Sequence, residues 1–157
     1  MMAASGPTHA RSGARAKLVQ ALYQHAVSGH SAEEIDRQFL AEGLGDIDVA
    51  YFREAIRAVI ERIDELDARI AACLDRPIAQ LDPVERSILR LGAYELSDRY
   101  EIPYRVVIDE AVELARAFGA EASYRYINGV LDRLGGELPM RAAERQGKGA
   151  GVDHRRE

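Results

Sequence analysis

The chain has 157 residues, enough to close one hydrophobic core without disulfides or a structural metal. Its 47% hydrophobic and 30% charged residues exclude a disordered chain. The single cysteine, Cys73, excludes an intramolecular disulfide and fits a reducing cytoplasm, and no apolar run approaches a membrane span or a secretory leader. The net charge of −5 argues against indiscriminate nucleic-acid binding, but the charges are unevenly spread. Residues 1–32 carry Arg11, Arg15 and Lys17 and no acid, residues 33–121 hold 21 acidic against 11 basic side chains, and the last 36 residues return to 7 basic against 5 acidic.

Residues 1–9 are small and polar and read as a disordered lead. Leu18, Val19, Leu22 and Ala26 then form the stripe of a first helix starting near Ala10. Ser31 and Glu34 form a capping box for a second helix, with Ile35, Phe39 and Leu40 on one face and Gly43 and Gly45 at its end. From Asp48 to about Leu74, Val49, Phe52, Ile56, Val59, Ile63, Leu66 and Ile70 keep three- and four-residue steps, which predicts one long amphipathic helix. Asp82, Pro83 and Glu85 supply the cap, first-turn proline and box-closing carboxylate of a fourth helix reaching about Ser97.

Ile102 and Pro103 break the chain before a fifth helix marked by Val107, Ile108, Ala111, Leu114 and Phe118 and stopped by Gly119. A sixth runs from about Glu121 to Leu134, with Ile127, Val130 and Leu131 inward and Gly135 and Gly136 closing it. Beyond Pro139 no apolar stripe remains. The expected organisation is a lead over 1–9, a helical domain over 10–137 and a flexible tail over 138–157. The fold class is all-α, a bundle of about six to seven helices packed as two halves about the long third helix.

Chemistry-bearing constellations are scarce. His25 and His30 are five residues apart, whereas ligands sharing a helical face need three or four, so no metal and no cofactor are expected. Gly43 and Gly45 follow no strand and belong to no phosphate-binding loop. Asp109, Glu110 and Glu113 read as the solvated start of the fifth helix, Glu85 as a cap that could also face a basic protein partner, and Cys73 as a small buried hydrophobe. The chain reads as non-enzymatic.

Two places point elsewhere. At about 100° per residue, Arg11 and Arg15 fall on the stripe of Leu18 and Leu22, so the core-facing side of helix one turns basic toward its start. Since arginine is not expected in an apolar core, this predicts that the first turns project beyond the bundle as an anion site, with Lys17 on the flank. In helix six, Tyr124, Arg125, Tyr126 and Asn128 can stack on unpaired bases, contact phosphate and hydrogen-bond a base edge, as single-stranded RNA sites do. Read blandly, the first cluster solubilises a helix end and the second is half core, half surface. Gly129, a poor helix former at mid-helix, implies close approach of another helix or of an RNA backbone.

Five segments carry a resemblance: ARSGARAKLVQALYQ at 10–24, QFLAEG and DVAYFRE within 38–54, LDPVERSILRLGAYEL at 81–96, IPYRVVIDEAVELARAFG at 102–119 and YINGVLDRL at 126–134. Over about residues 10–135 the chain resembles the bacterial NusB family of transcription antitermination factors. The resemblance implies a non-catalytic, all-helical, monomeric or dimeric protein. Such a protein pairs with the ribosomal protein NusE, binds boxA-type single-stranded RNA of ribosomal RNA operons and serves the transcription elongation complex. Carried over to this sequence, it implies RNA contacts at Arg11, Arg15, Lys17, Arg125, Tyr126 and Asn128 and a NusE face near Tyr23, Glu85 and Arg86. Ser12 and Gly13 stand where some members have further arginines, which implies fewer phosphate contacts and dependence on the partner. Two other readings fit the pattern: an RNA-targeting module of an rRNA methyltransferase, whose methyl-donor loop is not seen after residue 135, and a protein-interaction scaffold. A homodimer stays open.

Overall fold

The structure is a computed structural model that describes residues 7–118 and 123–145. The order of helices is α1 (Pro7–Ser28), α2 (Ala32–Glu42), α3 (Val49–Glu61), α4 (Ile63–Ala71), a 3-10 turn (Ile78–Gln80), α5 (Pro83–Asp98), α6 (Tyr104–Ala117), α7 (Tyr124–Glu137), and α8 over residues 139–145. No strand occurs among the described residues, and no helix there is long and apolar enough to cross a membrane.

Local chemistry sets the boundaries. Ser31 Oγ accepts the Glu34 amide at 3.1 Å while Glu34 accepts the Ser31 amide at 2.8 Å, and Asp82 and Glu85 repeat the device at the start of α5, with Pro83 in its first turn. Every residue of α5 from Ser87 to Ser97 is buried, because α1, α3, α4, α6 and α7 all pack against it. This central helix organises the core, which the amphipathic faces of the others complete.

The expected long third helix is two helices. Arg62 leaves helical geometry (φ −108°, ψ 22°), and its guanidinium reaches Glu65 at 2.9 Å and also Asp98. Its amide still bonds the Ala58 carbonyl and its carbonyl still accepts the Leu66 amide, so the break costs few backbone hydrogen bonds. It lets α3 pack on α1 and α2 while α4 packs on α5 and α7. Nor do the two late glycines close the sixth predicted helix: α7 runs through them to Glu137, and Gly135 lies beneath the Tyr104 ring, where a Cβ would stand 2.7 Å from Cε1. The expected stop at Gly119 and start at Glu121 lie outside the described residues.

Both ends of the chain differ from expectation. Residues 7–9 belong to α1, and the rest of the expected lead lies outside the described residues. Residues 139–145 are a helix with Arg141 only 1% exposed. Its guanidinium donates to the carbonyls of Leu96 (3.0 Å), Glu95 (3.0 Å), Arg99 (2.9 Å) and Ile102 (2.9 Å) at the end of α5, where those of Glu95 and Arg99 also accept the Arg99 and Ile102 amides. Glu144, one turn on, accepts the Tyr104 amide at 2.7 Å at the start of α6. This segment docks by capping two helix ends rather than by burying an apolar stripe, so hydropathy does not reveal it.

Replacing Arg141 with Ala strands buried carbonyls and is expected to lower stability by about 3 kcal/mol or more in urea unfolding; a loss under about 1 kcal/mol would mean that water satisfies them.

Candidate nucleic-acid interface

The start of α1 does not project. Arg15 is 3% exposed, its Nε donating to Glu95 Oε2 at 2.8 Å and its Nη1 lying 3.4 Å from Glu110 Oε1. Tyr51 donates its phenolic hydrogen to the same Glu95 oxygen. Burial, with the Glu95 carboxylate next, pushes that phenol far above its ordinary range, so it stays a donor at every accessible pH. The helical phase put Arg15 on the core stripe correctly. The premise that arginine has no place there was wrong, because α5 and α6 bring two carboxylates to meet it.

Arg11 sits one turn earlier and is half-buried, its guanidinium 4.0 Å from the centre of the Tyr51 ring and its Nε donating to Asp48 at 3.1 Å. Asp48 also accepts the Tyr51 amide at 3.1 Å and so caps α3. Burial opposes ionisation of Asp48, but the Tyr51 amide and the Arg11 guanidinium outweigh it and hold the carboxyl below its ordinary range. Ser12 donates to Glu110, and a Cβ at Gly13 would stand 2.8 Å from Ile47 Cγ2. The chain therefore has no room for an arginine at position 13 while Ile47 is packed as it is.

Lys17 is half-buried on a different side, in a groove between α1 and α2 that Tyr23, Gln24, Gln38 and Phe39 also line. His25 and His30 meet nearby, His25 Nδ1 donating to the His30 carbonyl at 2.8 Å. Among the described residues no group of three or more His, Cys, Asp and Glu side chains is placed to hold a metal ion.

On α7, Arg125 and Asn128 are exposed and both tyrosines are covered by guanidinium groups. Tyr124 lies under Arg116 at 4.5 Å and Arg125 at 5.5 Å, and Tyr126 under Arg76 at 4.4 Å, with its hydroxyl donating to Asp75 at 3.0 Å. A Cβ on Gly129 would meet nothing within 4 Å, so no helix of this fold requires that glycine. Arg125, Tyr126, Gly129, Val130, Arg133 and Asp75 line a shallow cleft of about 220 Å³. Arg11 and Arg15 line a different cleft, with Glu101, Pro103 and Val106, so the two basic sites are separate in the folded chain. Arg76 escaped the sequence reading because it lies in the connection after α4; only its pairing with Asp75 could have marked it.

Tyr23, 42% exposed, joins Val19, Gln20, Val84 and Phe118 in an apolar groove of about 280 Å³. Glu85 is half-buried beside it, accepting from the Asp82 amide and from the Ser123 hydroxyl. Arg86 donates to the Leu81 carbonyl at 3.2 Å, while its buried Nε has no hydrogen-bond partner among the described residues. Phe118 belongs to the stripe of the fifth predicted helix, and the opening it shares with Val84 appears only in three dimensions.

Arg15→Ala leaves the Glu95 charge buried with its arginine gone and is expected to cost about 3–5 kcal/mol, whereas Arg11→Ala should cost under about 1 kcal/mol, both read by urea unfolding. Because the Asp48 carboxyl is held low, its contribution is present above the ordinary carboxylate range and is lost as pH falls through the lowered value. Arg11→Ala should therefore move the Asp48 titration upward in NMR; an unmoved titration would remove Arg11 as a cause.

The NusB family profile matches residues 12–135. A transcription antitermination protein NusB from Halorhodospira halophila is 72% identical over 144 residues, covering 92% of this chain and 93% of that protein. The solved NusB of T. maritima superposes with a TM-score of 0.72 at 34% identity, over 82% of this chain and 92% of that one. A chain from a crystal structure of the antitermination factors NusB and NusE in complex with double-stranded RNA superposes with a TM-score of 0.69 at 28% identity, over 78% and 93%. With the helical core, the basic face of α7 and these matches together, the chain belongs to the NusB family.

Proposed function

We propose that this protein is a cytoplasmic, non-enzymatic transcription antitermination factor that binds boxA-type single-stranded RNA of ribosomal RNA operon transcripts together with the ribosomal protein NusE. It thereby supports processive transcription by RNA polymerase within the elongation complex. The observation that carries this reading is the surface of the first turns of α7, where Arg125 and Asn128 are exposed, both tyrosines are met by guanidinium groups, and Arg125 and Tyr126 border the open space at Gly129. Those groups supply phosphate charge, base-edge hydrogen bonds and stacking surface in a single turn and a half of helix. The relatives' name supports the antitermination role, and a structural neighbour's assembly of NusB and NusE with double-stranded RNA supports binding of NusE and of RNA.

Within this reading Arg125, Tyr126, Asn128, Lys17 and the exposed part of Arg11 touch RNA. Arg15 is a positioning residue that holds the start of α1 in place. NusE takes the groove of Tyr23, with Glu85 and Arg86 at its edge. The chain's net charge of −5 limits its own affinity, so the partner supplies much of the binding.

Arg125→Ala combined with Asn128→Ala is expected to weaken binding of boxA RNA by the complex with NusE about tenfold or more in fluorescence anisotropy, with the melting temperature held within about 2 °C. Unchanged affinity at moderate salt would overturn the assignment of this face.

A further inference from the structure

The connection between α4 and the 3-10 turn is pinned to α7 at three points. Arg133 donates to the Cys73 carbonyl, Tyr126 donates to Asp75 Oδ1 at 3.0 Å, and the Arg76 guanidinium lies 4.4 Å from the centre of the Tyr126 ring. Asp75 Oδ1 also accepts from Arg76 Nε at 2.9 Å, so one carboxylate oxygen fixes the ring and the guanidinium against each other. The assembly stands at the surface, with the Arg76 side chain 45% exposed and that of Asp75 68% exposed. Hydrogen bonds from Arg76 and Tyr126 hold the Asp75 carboxyl below its ordinary range, which keeps it charged and the corner assembled throughout the neutral region.

We infer that Arg76 completes a base-stacking subsite. Its guanidinium, centred 4.4 Å from the middle of the Tyr126 ring, offers its outer side to one unpaired RNA base, and Asp75 is the positioning residue that holds the pair in register. The inference rests on the RNA-binding reading above and adds to it a residue from outside α7. A guanidinium plane stacks on a nucleobase as it does on a phenol ring, and it brings a positive charge that an aromatic ring lacks. Arg125 and Arg133 place two further cations on the wall of the cleft that Asp75 and Tyr126 also line, so with Arg76 three cations stand there against the carboxylates of Asp75 and, acting on Arg76, of Glu85, and a phosphate following the stacked base meets net positive charge. The open space over Gly129 lies on that wall. Glycine at a helix interior costs about 1 kcal/mol relative to alanine, and no contact among the described residues demands it, whereas a ribose-phosphate backbone running past α7 would. A purely structural clip would need neither the exposed guanidinium face nor the gap beside it.

The test uses the full chain with NusE and a set of boxA-type single-stranded oligonucleotides, each carrying one fluorescent base analogue at a different position. Wild type is expected to quench one analogue strongly. Arg76→Ala should weaken binding about tenfold and release that quenching at the same position only, with the melting temperature unchanged. Arg76→Lys keeps the charge but loses the plane, and is expected to behave like the alanine variant in both readouts. Asp75→Asn should release part of the same quenching with a smaller loss of affinity. If lysine restores affinity and quenching, the contact is one of charge and the stacking inference is overturned. It is overturned alone if Arg125→Ala weakens binding while the Arg76 variants bind and quench as wild type. A wild-type complex that binds no boxA RNA would remove the underlying functional reading as well.

Discussion

The buried pair of Arg15 and Glu95 is the contact on which the placement of everything else at the amino-terminal end depends. Two charges taken out of water cost several kcal/mol each, and their mutual attraction offsets this only when the remaining donors and acceptors are also satisfied. Here they are: Glu110 meets a second arm of the guanidinium, and Tyr51 donates to Glu95. The Glu95 backbone carbonyl is held by Arg141. Side chains of α1, α3, α5 and α6 converge on one point, with α8 closing it from behind. The consequences run outward from there. Tyr51, fixed by Glu95, presents its ring to Arg11, and Arg11 in turn meets Asp48, which caps α3. The half-exposed arginine that can still reach an anion is thus positioned by a fully buried one that cannot.

The same accounting explains the acidic middle of the chain. Part of that charge is taken up inside the fold. Asp36, nearly buried, is met by Arg53 and Arg57, and Asp67 makes a two-pronged contact with the buried Arg90. Asp48, Glu95 and Glu110 answer the arginines of α1. A carboxylate engaged in this way contributes little to a long-range field. The whole-chain net charge therefore understates how basic the exposed face of α7 is.

What was legible in the sequence was what local chemistry decides. The capping boxes at Ser31 and Asp82, the proline of α5 and the inward faces of α6 and α7 follow from spacing within a turn or two, and they stand where the pattern put them. What was illegible depends on partners far along the chain. Arg15 finds Glu95 80 residues away, and Tyr51 finds it 44 residues away, so helical phase could give the face that Arg15 occupies but not what faces it. The break at Arg62 hides inside an unbroken three-and-four pattern because the hydrogen-bond ladder nearly survives it. The α8 segment has no apolar stripe to detect, since Arg141 anchors it through backbone carbonyls. Of the RNA-site candidates on α7, Arg125 and Tyr126 line one cleft while Asn128 is exposed outside it, two residues from Tyr126 and so on another side of the helix, and the α1 candidates divide among a buried, a half-buried and a flanking position.

Glu85 ties the two candidate surfaces together. It closes the capping box of α5, borders the apolar groove through its neighbour Val84, and accepts a hydrogen bond from Ser123, the residue just before α7. A protein seated in that groove would compete for or reinforce the same carboxylate, and either effect acts on the first turn of the helix that carries Tyr124, Arg125 and Tyr126. The rings of that turn are already backed by guanidinium groups, so the cost of ordering them is met in the free protein, and what remains to be set is the position of the turn itself. On the proposed function, this gives the ribosomal partner a route to RNA affinity beyond its own contacts. On that reading, a partner holding Glu85 would act through the Ser123 hydroxyl, which donates to the same carboxylate, on the first turn of α7.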